Sequence, residues 1–414
     1  VVSGGVQGGS GMIDDAEASG LPPPGCPLER HHFQWLASGR ALLAAKLAAI
    51  ESAQREVLLE IYIFKAGAVG DRFRDALVAA ARRGAAVRVL VDAFGSGALP
   101  PGYFAGLEAA GGAVKWFNRP SLANWSFRDH RKLLVVDEEE AFVGGCNIGP
   151  EYDGDGVTEG WRDGGLSVRG PVLSCLHREF EAQWLLAEEK QWRHRELRKK
   201  RRRRVPCGAE VDAIFVFPGF GHNLLRETMA ADLRRARRVG ICSPYFLPSV
   251  SLRRQIASPE RRGADVRVLL AGKTDVPLMQ LASRSIYRFF LDHGVEIYEY
   301  QPQILHAKVL LLDDIVYIGS SNLDPRSLRI NFEIMLRIRD QALAAQAWRQ
   351  FEEDLSHSRQ WTVEDLHGHH TWWRRLKQQL AYFVFARLDP RVAEGQLRRW
   401  RRRRTERGDE AAEA

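Results

Sequence analysis

Apolar runs of strand length alternate with helical patterns along most of this chain. EVLLEIYIF (56–64) is β-branched and aromatic, and RFRDALVAAARRG after it carries apolar residues at helical spacing. AVRVLVDAF (86–94) predicts a second strand, YFAGLEAAGG a helix and AVKWFN a third strand. Ahead of these, residues 31–55 read as one helix bearing Leu36, Leu42, Leu43, Leu47 and Ile50. The same order then returns. RVGICSPYF (238–246) parallels EVLLEIYIF, DVRVLLAG (265–272) parallels AVRVLVDA, and YRFFLDHGVEIYEY (287–300) parallels YFAGLEAAGGAVKWFN. A full set of strands and crossover helices in each half predicts an α/β chain of two homologous domains. Strands that are apolar throughout predict sheets covered on both faces. The expected organisation is a flexible segment over 1–30, a first domain over 31–197 and a basic linker over 198–206. A second domain follows over 207–356, and residues 357–414 form a tail with no counterpart in the first half.

Composition sharpens this picture in three ways. At 414 residues and 45% hydrophobic content, the chain can bury cores for two domains. The net charge of +8 is concentrated in RHRELRKKRRRR (193–204) and RRWRRRR (398–404), so anionic partners are expected at patches, whether nucleic acid or acidic lipid. The five cysteines are odd in number and show no CxxC spacing, which predicts neither a disulfide framework nor a zinc site, and a reducing compartment. The Gly-rich N-terminal stretch has no apolar h-region and is not read as a signal peptide; Met12 is a candidate start. No stretch reaches the ~18 apolar residues of a spanning helix, LAYFVFA (380–386) being far too short, so any membrane association is expected to be peripheral.

One short pattern occurs in both halves. His130-Arg131-Lys132 is followed by Asp137, and His306-Ala307-Lys308 by Asp313, each in an apolar frame. Gly144-Gly145-Cys146-Asn147 and Gly319-Ser320-Ser321-Asn322 then follow. On a strand, residues two apart share a face, so each histidine projects beside its lysine. One such unit can only hold a phosphate. Two units facing each other supply a nucleophile, a general acid and two cations for one phosphodiester. Asn147, Asn322 and Ser320 are candidate donors to the same phosphate oxygens. The charge comes from side chains, so no metal and no cofactor is expected. His367-Gly368-His369-His370 lacks nearby carboxylate or cysteine partners and is read as coincidence.

The paired HxKxxxxD pattern resembles the phospholipase D superfamily over nearly the whole chain from about residue 31. The resemblance implies a pseudo-twofold pair of α/β/α sandwich domains sharing one active site. It implies His130 as nucleophile and His306 as acid/base, a choice the residues alone leave open. It also implies that each histidine is oriented by a carboxylate downstream of its own motif, matching Asp163 in EGWRDGG and Glu333 in INFEIM. Asp137 and Asp313 belong to the catalytic motif but are read as holding local structure. Two departures stand out: Gly145-Cys146 replaces the usual Gly-Ser or Gly-Thr, removing a hydroxyl near the phosphate, and the second copy is one residue shorter between Asp313 and Gly319.

Within the superfamily the chain is most similar to bacterial cardiolipin synthases without transmembrane helices. NIGPEYDG, WRDGGLSVRGPV, SPYFLP and GSSNLDPRSLRINFEIMLRI carry that likeness. It implies transfer between two phosphatidylglycerols through a phosphatidyl-histidine, with release of glycerol, at a site that limits water. A hydrolytic phospholipase D and a metal-independent nuclease are the rival readings. The tail bears on the choice. HHTWWRRLKQQLAYFVFARL (369–388) places Trp373, Leu376, Leu380, Phe383 and Val384 on one helical face, with Trp372 beside them. With RRWRRRR behind it, this predicts an interfacial anchor for an anionic phospholipid surface, on the cytoplasmic face of a bacterial membrane. An ordinary helix packed on its domain is the competing account, and a nuclease explains the Trp/Phe stripe poorly.

Overall fold

The computed structural model describes residues 30–119, 126–188, 205–208, 210–219, 223–368 and 372–396. Most of the 1–30 segment, the arginines of the 198–206 linker and the RRWRRRR run lie outside the described residues.

The chain folds as two mixed sheets. The first holds β1 (His32–Leu36), β2 (Glu56–Ile61), β3 (Ala86–Asp92), β4 (Ala113–Phe117), β5 (Lys132–Val136), β6 (Glu140–Gly144) and β7 (Gly165–Arg169). Their order is β1-β7-β6-β5-β2-β3-β4. The second holds β8 (Val205–Pro206), β9 (Val211–Val216), β10 (Arg238–Ser243), β11 (Asp265–Lys273), β12 (Glu296–Ile304), β13 (Val309–Leu312), β14 (Ile315–Gly319), β15 (Glu333–Arg339) and β16 (Ser358–Trp361). Without its two edge strands, β8 and β16, its order β9-β15-β14-β13-β10-β11-β12 repeats the first sheet strand for strand. In both, three parallel strands continue into an antiparallel set.

Alternation along the strands divides the core. Val57, Leu59 and Ile61 pack outward against the helices at Gly39–Ser52 and Ala68–Arg82, while Leu58 faces the other domain. That shared inner core includes the helices Leu173–Glu188 and Gln341–Ser356, through Phe180, Trp184, Trp348 and Phe351. Each fully buried apolar side chain of this kind contributes roughly 1.5–3 kcal/mol. The halves are thereby welded along their inner faces.

Two sequence expectations change. Residues 31–55 are not one helix, because His32–Leu36 pairs antiparallel with Gly165–Arg169. The helix begins only after Ser38, whose hydroxyl accepts from the Ala41 N–H as an N-cap. The segment from 357 does not begin as a separate tail either: Ser358–Trp361 adds an edge strand to β12. Cys175 and Cys207 also meet in space as free thiols, their sulfurs 2.7 Å apart between the helix Leu173–Glu188 and the residue after β8.

Candidate active site

β5 and β13 lie inside their sheets, and Ile61 opposite Lys132 shows that β5 starts where β2 ends. His130 and His306 thus sit at the carboxyl ends of the parallel strands, where α/β folds commonly bind ligands. Two backbone bridges then join the domains. His130 N–H donates to Phe332 O at 3.0 Å and Phe332 N–H to Arg128 O at 2.9 Å. Their mates are His306 N–H to Arg162 O at 2.7 Å and Arg162 N–H to Ile304 O at 2.8 Å. This pseudo-twofold relation ties each histidine to the residue preceding an acid of the other domain.

The acids are consequently exchanged. His130 Nδ1 lies 3.0 Å from both Glu333 carboxylate oxygens, and His306 Nδ1 lies 2.6 Å from Asp163 Oδ2. The expectation that each carboxylate orients the histidine of its own half is therefore corrected. The bridges carry Glu333 and Asp163 across the interface, away from their own motifs. With Nδ1–H donated to a carboxylate, each ring presents its Nε2 lone pair, a tautomer assigned from the bond the ring makes. Lys308 Nζ lies 2.8 Å from His306 Nδ1 and 3.0 Å from its Nε2, and also donates to the His306 carbonyl. Lys132 Nζ donates to His130 O at 2.5 Å and lies 5.0 Å from the Tyr62 ring. Each carboxylate is taken by an imidazole, and neither ammonium makes a direct ion pair among the described residues. Buried cations in that state favour an incoming anion.

Burial sets the titrations. It pushes His130 down to about 4 against the opposing pull of Glu333. It also lowers His306 to about 4, helped by Lys308. Lys132 falls to about 7 and Lys308 is lowered as well, both by burial. Burial alone would raise Asp163, but the His306 hydrogen bond and the nearby cations outweigh it and hold the acid below its ordinary value. Both imidazoles are therefore neutral at pH 7 in the empty site. Between pH 6.5 and 4 the unfolded chain binds more protons at these histidines than the folded one, so stability rises with pH through that window. The folded state is expected to lose stability as pH falls from 6.5 toward 4. In melting curves across this range, His130→Ala/His306→Ala should flatten part of the slope; an unchanged slope would show that other groups set it.

The remaining candidates divide. Asp137 and Asp313, grouped with the catalytic motif, stand at the far ends of β5 and β13. Asp137 accepts from the N–H groups of Gln54, Arg55 and Glu56 at 2.7–2.9 Å, and Asp313 from those of Arg237 and Arg238. Both have φ 54°, as the hairpin turns require. Their role is to hold the starts of β2 and β10. The second hairpin turns in two residues where the first takes three.

Ser320, proposed for phosphate, instead donates to Glu333 Oε2 at 2.5 Å. Asn147 is likewise committed: its Oδ1 accepts from Ile63 N–H at 3.1 Å and its Nδ2 donates to Tyr152 OH at 2.7 Å. Asn322 is buried, and its Oδ1 has no hydrogen-bond partner. Gly145 occupies the place of Ser320 for a steric reason: a Cβ there would come within 2.4 Å of Asp163.

Sequence reasoning missed the rings around the histidines. Tyr62 meets His130 edge-on at 4.8 Å, and Tyr152 and Trp161 each lie 5.3 Å from His306. Tyr152 and Trp161 stood inside the quoted NIGPEYDG and EGWRDGG segments, so proximity to a motif was the available signal. Arg131 was missed too. Fully buried, it pairs with Glu179 at 3.1 Å and lies over Phe217 and Phe332 of the other domain. Glu56, His177 and Glu181 also converge, but the Arg88 guanidinium already lies 2.7 and 2.5 Å from the two carboxylates, so a metal is not needed there.

Two pseudo-twofold α/β domains with both HxK units at one interface define a phospholipase D-like protein. Residues 47–152 and 229–355 match the family described as cardiolipin synthase, PLD-like domain, and the chain belongs to that family. Cardiolipin synthase A of Pseudomonas putida (strain F1) is 35% identical over 363 residues, covering 83% of this chain and 72% of the relative. Cardiolipin synthase B of Salmonella typhimurium (strain LT2) is 31% identical over 367 residues, covering 86% and 87%. The crystal structure of phosphatidylserine synthase from Haemophilus influenzae Rd KW20 shares the fold, with a TM-score of 0.63 at 15% identity over 87% of this chain and 94% of that one. Among the described residues, no helix is long and apolar enough to cross a membrane.

Proposed function

We propose that this chain is a phosphatidyltransferase that joins two phospholipids, with phosphatidylglycerol as donor and acceptor. The observation that supports it most is the pair of imidazoles, His306 buried and His130 partly so, each held at Nδ1 by a carboxylate, beside two buried ammonium groups. His130 Nε2 attacks phosphorus, the bond from phosphorus to glycerol oxygen breaks, and His306 gives its Nε2 proton to the departing glycerol. The hydroxyl of a second phosphatidylglycerol then passes its proton to His306 as its oxygen attacks phosphorus, and the N–P bond breaks to restore His130. A bound phosphodiester anion raises the His306 pKa from its empty-site value, which lets it arrive protonated for the first step. Lys132 and Lys308 stabilise the charge that grows on the equatorial oxygens.

Purified protein with phosphatidylglycerol vesicles should yield cardiolipin and glycerol, and EDTA should not change the rate. Phosphatidic acid as sole product would establish hydrolysis instead, and cleavage of single-stranded DNA without lipid turnover would establish a nuclease.

The tail supports a peripheral site of action, on the cytoplasmic face of the membrane. The helix Trp372–Phe383 packs on the helix Pro277–Arg284, and Ala381 is buried in the outer core with Tyr382 and Phe385 against it. Leu376, Leu380 and Phe383 remain 52%, 62% and 49% exposed, and Leu278 of the helix Pro277–Arg284 is 57% exposed. Packing on the domain therefore uses a different face from the predicted stripe. The side chains of Trp372 and Trp373 lie outside the described residues. Leu376→Ser/Leu380→Ser/Phe383→Ser is expected to weaken co-sedimentation with anionic vesicles about tenfold or more, at unchanged melting temperature. Unchanged sedimentation would remove the anchor.

A further inference from the structure

The two halves of the site differ in charge at two pairs of matched positions. Arg128 and Ile304 are counterparts in the interdomain bridges, since their carbonyls accept from Phe332 and Arg162. Arg326 and Glu151 are counterparts as well, accepting from the N–H groups of Asn331 and Trp161 at 2.9 and 2.6 Å. The His130 side thus carries two arginines where the His306 side carries an isoleucine and a glutamate. Glu151 is moreover neutralised by Lys65 at 2.5 Å.

Of the two arginines, Arg128 is the one less satisfied by the protein itself. Arg128 is 5% exposed; its guanidinium stacks on Phe94 at 3.9 Å and donates to the Phe127 carbonyl at 2.8 Å. It makes no ion pair with a carboxylate among the described residues. Arg326 donates through Nη2 to Ser126 O at 2.9 Å and through Nη1 to both oxygens of Asp389 at 3.0 and 3.2 Å. Asp389 arrives from the C-terminal segment, and Gln396 of the same segment accepts from Ser126 N–H at 3.3 Å. The charges of Arg128 and Arg326 both act on Tyr62, whose ring lies against His130, and Arg128 also acts on Asp389. On an extended segment Arg128 and His130, two apart, project to the same side.

Transfer between two phospholipids, the reaction this inference rests on, brings two phosphodiester anions together. Lys132 and Lys308 answer the charge of the reacting one. The acceptor brings its own phosphate, one glycerol length away, and guanidinium groups bind phosphate through paired hydrogen bonds. We propose that Arg128 and Arg326 form a second anion subsite for the phosphate of the acceptor phospholipid, and that Asp389 occupies it until the acceptor displaces it. A carboxylate from the chain's own tail already pairs with Arg326 Nη1, so this position accepts an anion.

Equilibrium dialysis with [32P]phosphate tests the subsite without turnover. Two binding sites are expected in the wild type, tighter binding at one of them in Asp389→Asn, and a single site in Arg128→Gln/Arg326→Gln. A single site in both the wild type and Asp389→Asn overturns the subsite, whether or not the arginine variants fold. The acceptor role is read by giving the protein phosphatidylglycerol with ethanol as a competing acceptor that has no phosphate. The ratio of cardiolipin to phosphatidylethanol is expected to fall about 30-fold in the double glutamine variant, and to recover with lysine at both positions. An equal fall in both products overturns the assignment. A wild type that makes neither product defeats the phosphatidyltransferase reading, while dialysis still decides the subsite.

Discussion

Replacing His130 with alanine should leave no measurable turnover, a loss of roughly 10⁴-fold or more in kcat, because the group proposed to bond to phosphorus is gone. The argument rests on geometry. His130 has Nδ1 committed to Glu333 and is neutral at pH 7, so its free Nε2 is a ready nucleophile. His306 shares the shape but has the Lys308 ammonium against its ring, 2.8 Å from Nδ1 and 3.0 Å from Nε2, and the family resemblance makes it the acid/base. Acid-quenched protein incubated with radiolabelled phosphatidylglycerol should carry label in the wild type and none in His130→Ala. In His306→Ala, label should build up slowly and persist, because neither leaving group nor acceptor is helped. Labelled His130→Ala, or wild-type rates in it, would reverse or dismiss the assignment.

The second large effect follows from the exchanged acids. Glu333→Gln and Asp163→Asn keep the shape of each pair but remove the charge that fixes the tautomer and stabilises the imidazolium. Comparable changes in triad enzymes cost up to about 10⁴-fold in kcat. What is particular to this chain is which residues couple. In double-mutant cycles on the single-turnover rate, His130 should be strongly non-additive with Glu333 and His306 with Asp163, whereas His130 with Asp163 should come closer to additive. Coupling within each half would contradict the exchange. Glu333→Gln also leaves Ser320 without its carboxylate, and Ser320→Ala alone is expected to give a smaller loss of the same kind.

Much of this was legible before any coordinates. The repeated strand order carried the duplicated α/β architecture, because a strand buried on both faces must be apolar along its whole length. The repeated HxK carried the shared site, since two apart on a strand means one face. The exchange of Asp163 and Glu333 was not legible, because distance along a chain does not say which of two facing sheets a loop will meet. Asn147 and Ser320 have side chains suited to phosphate, and only their neighbours show them spent on Ile63, Tyr152 and Glu333. His32–Leu36 was lost to the helix beside it, since five residues carry too little periodicity to separate from the pattern that follows. Arg128 and Arg326 drew no notice as isolated basic residues; the pseudo-twofold relation is what sets them against Ile304 and Glu151.

The paired bridges from His130 to Phe332 and from His306 to Arg162 have a consequence for the chain as it is being made. The first domain leaves the ribosome with its histidine and lysine in place but without Glu333, so its imidazole has no fixed tautomer and no partner to receive a proton. Under the proposed mechanism that half alone lacks a complete pair of catalytic imidazoles. On that mechanism, competence is expected only once the second domain has folded against the first, which makes it a late product of assembly.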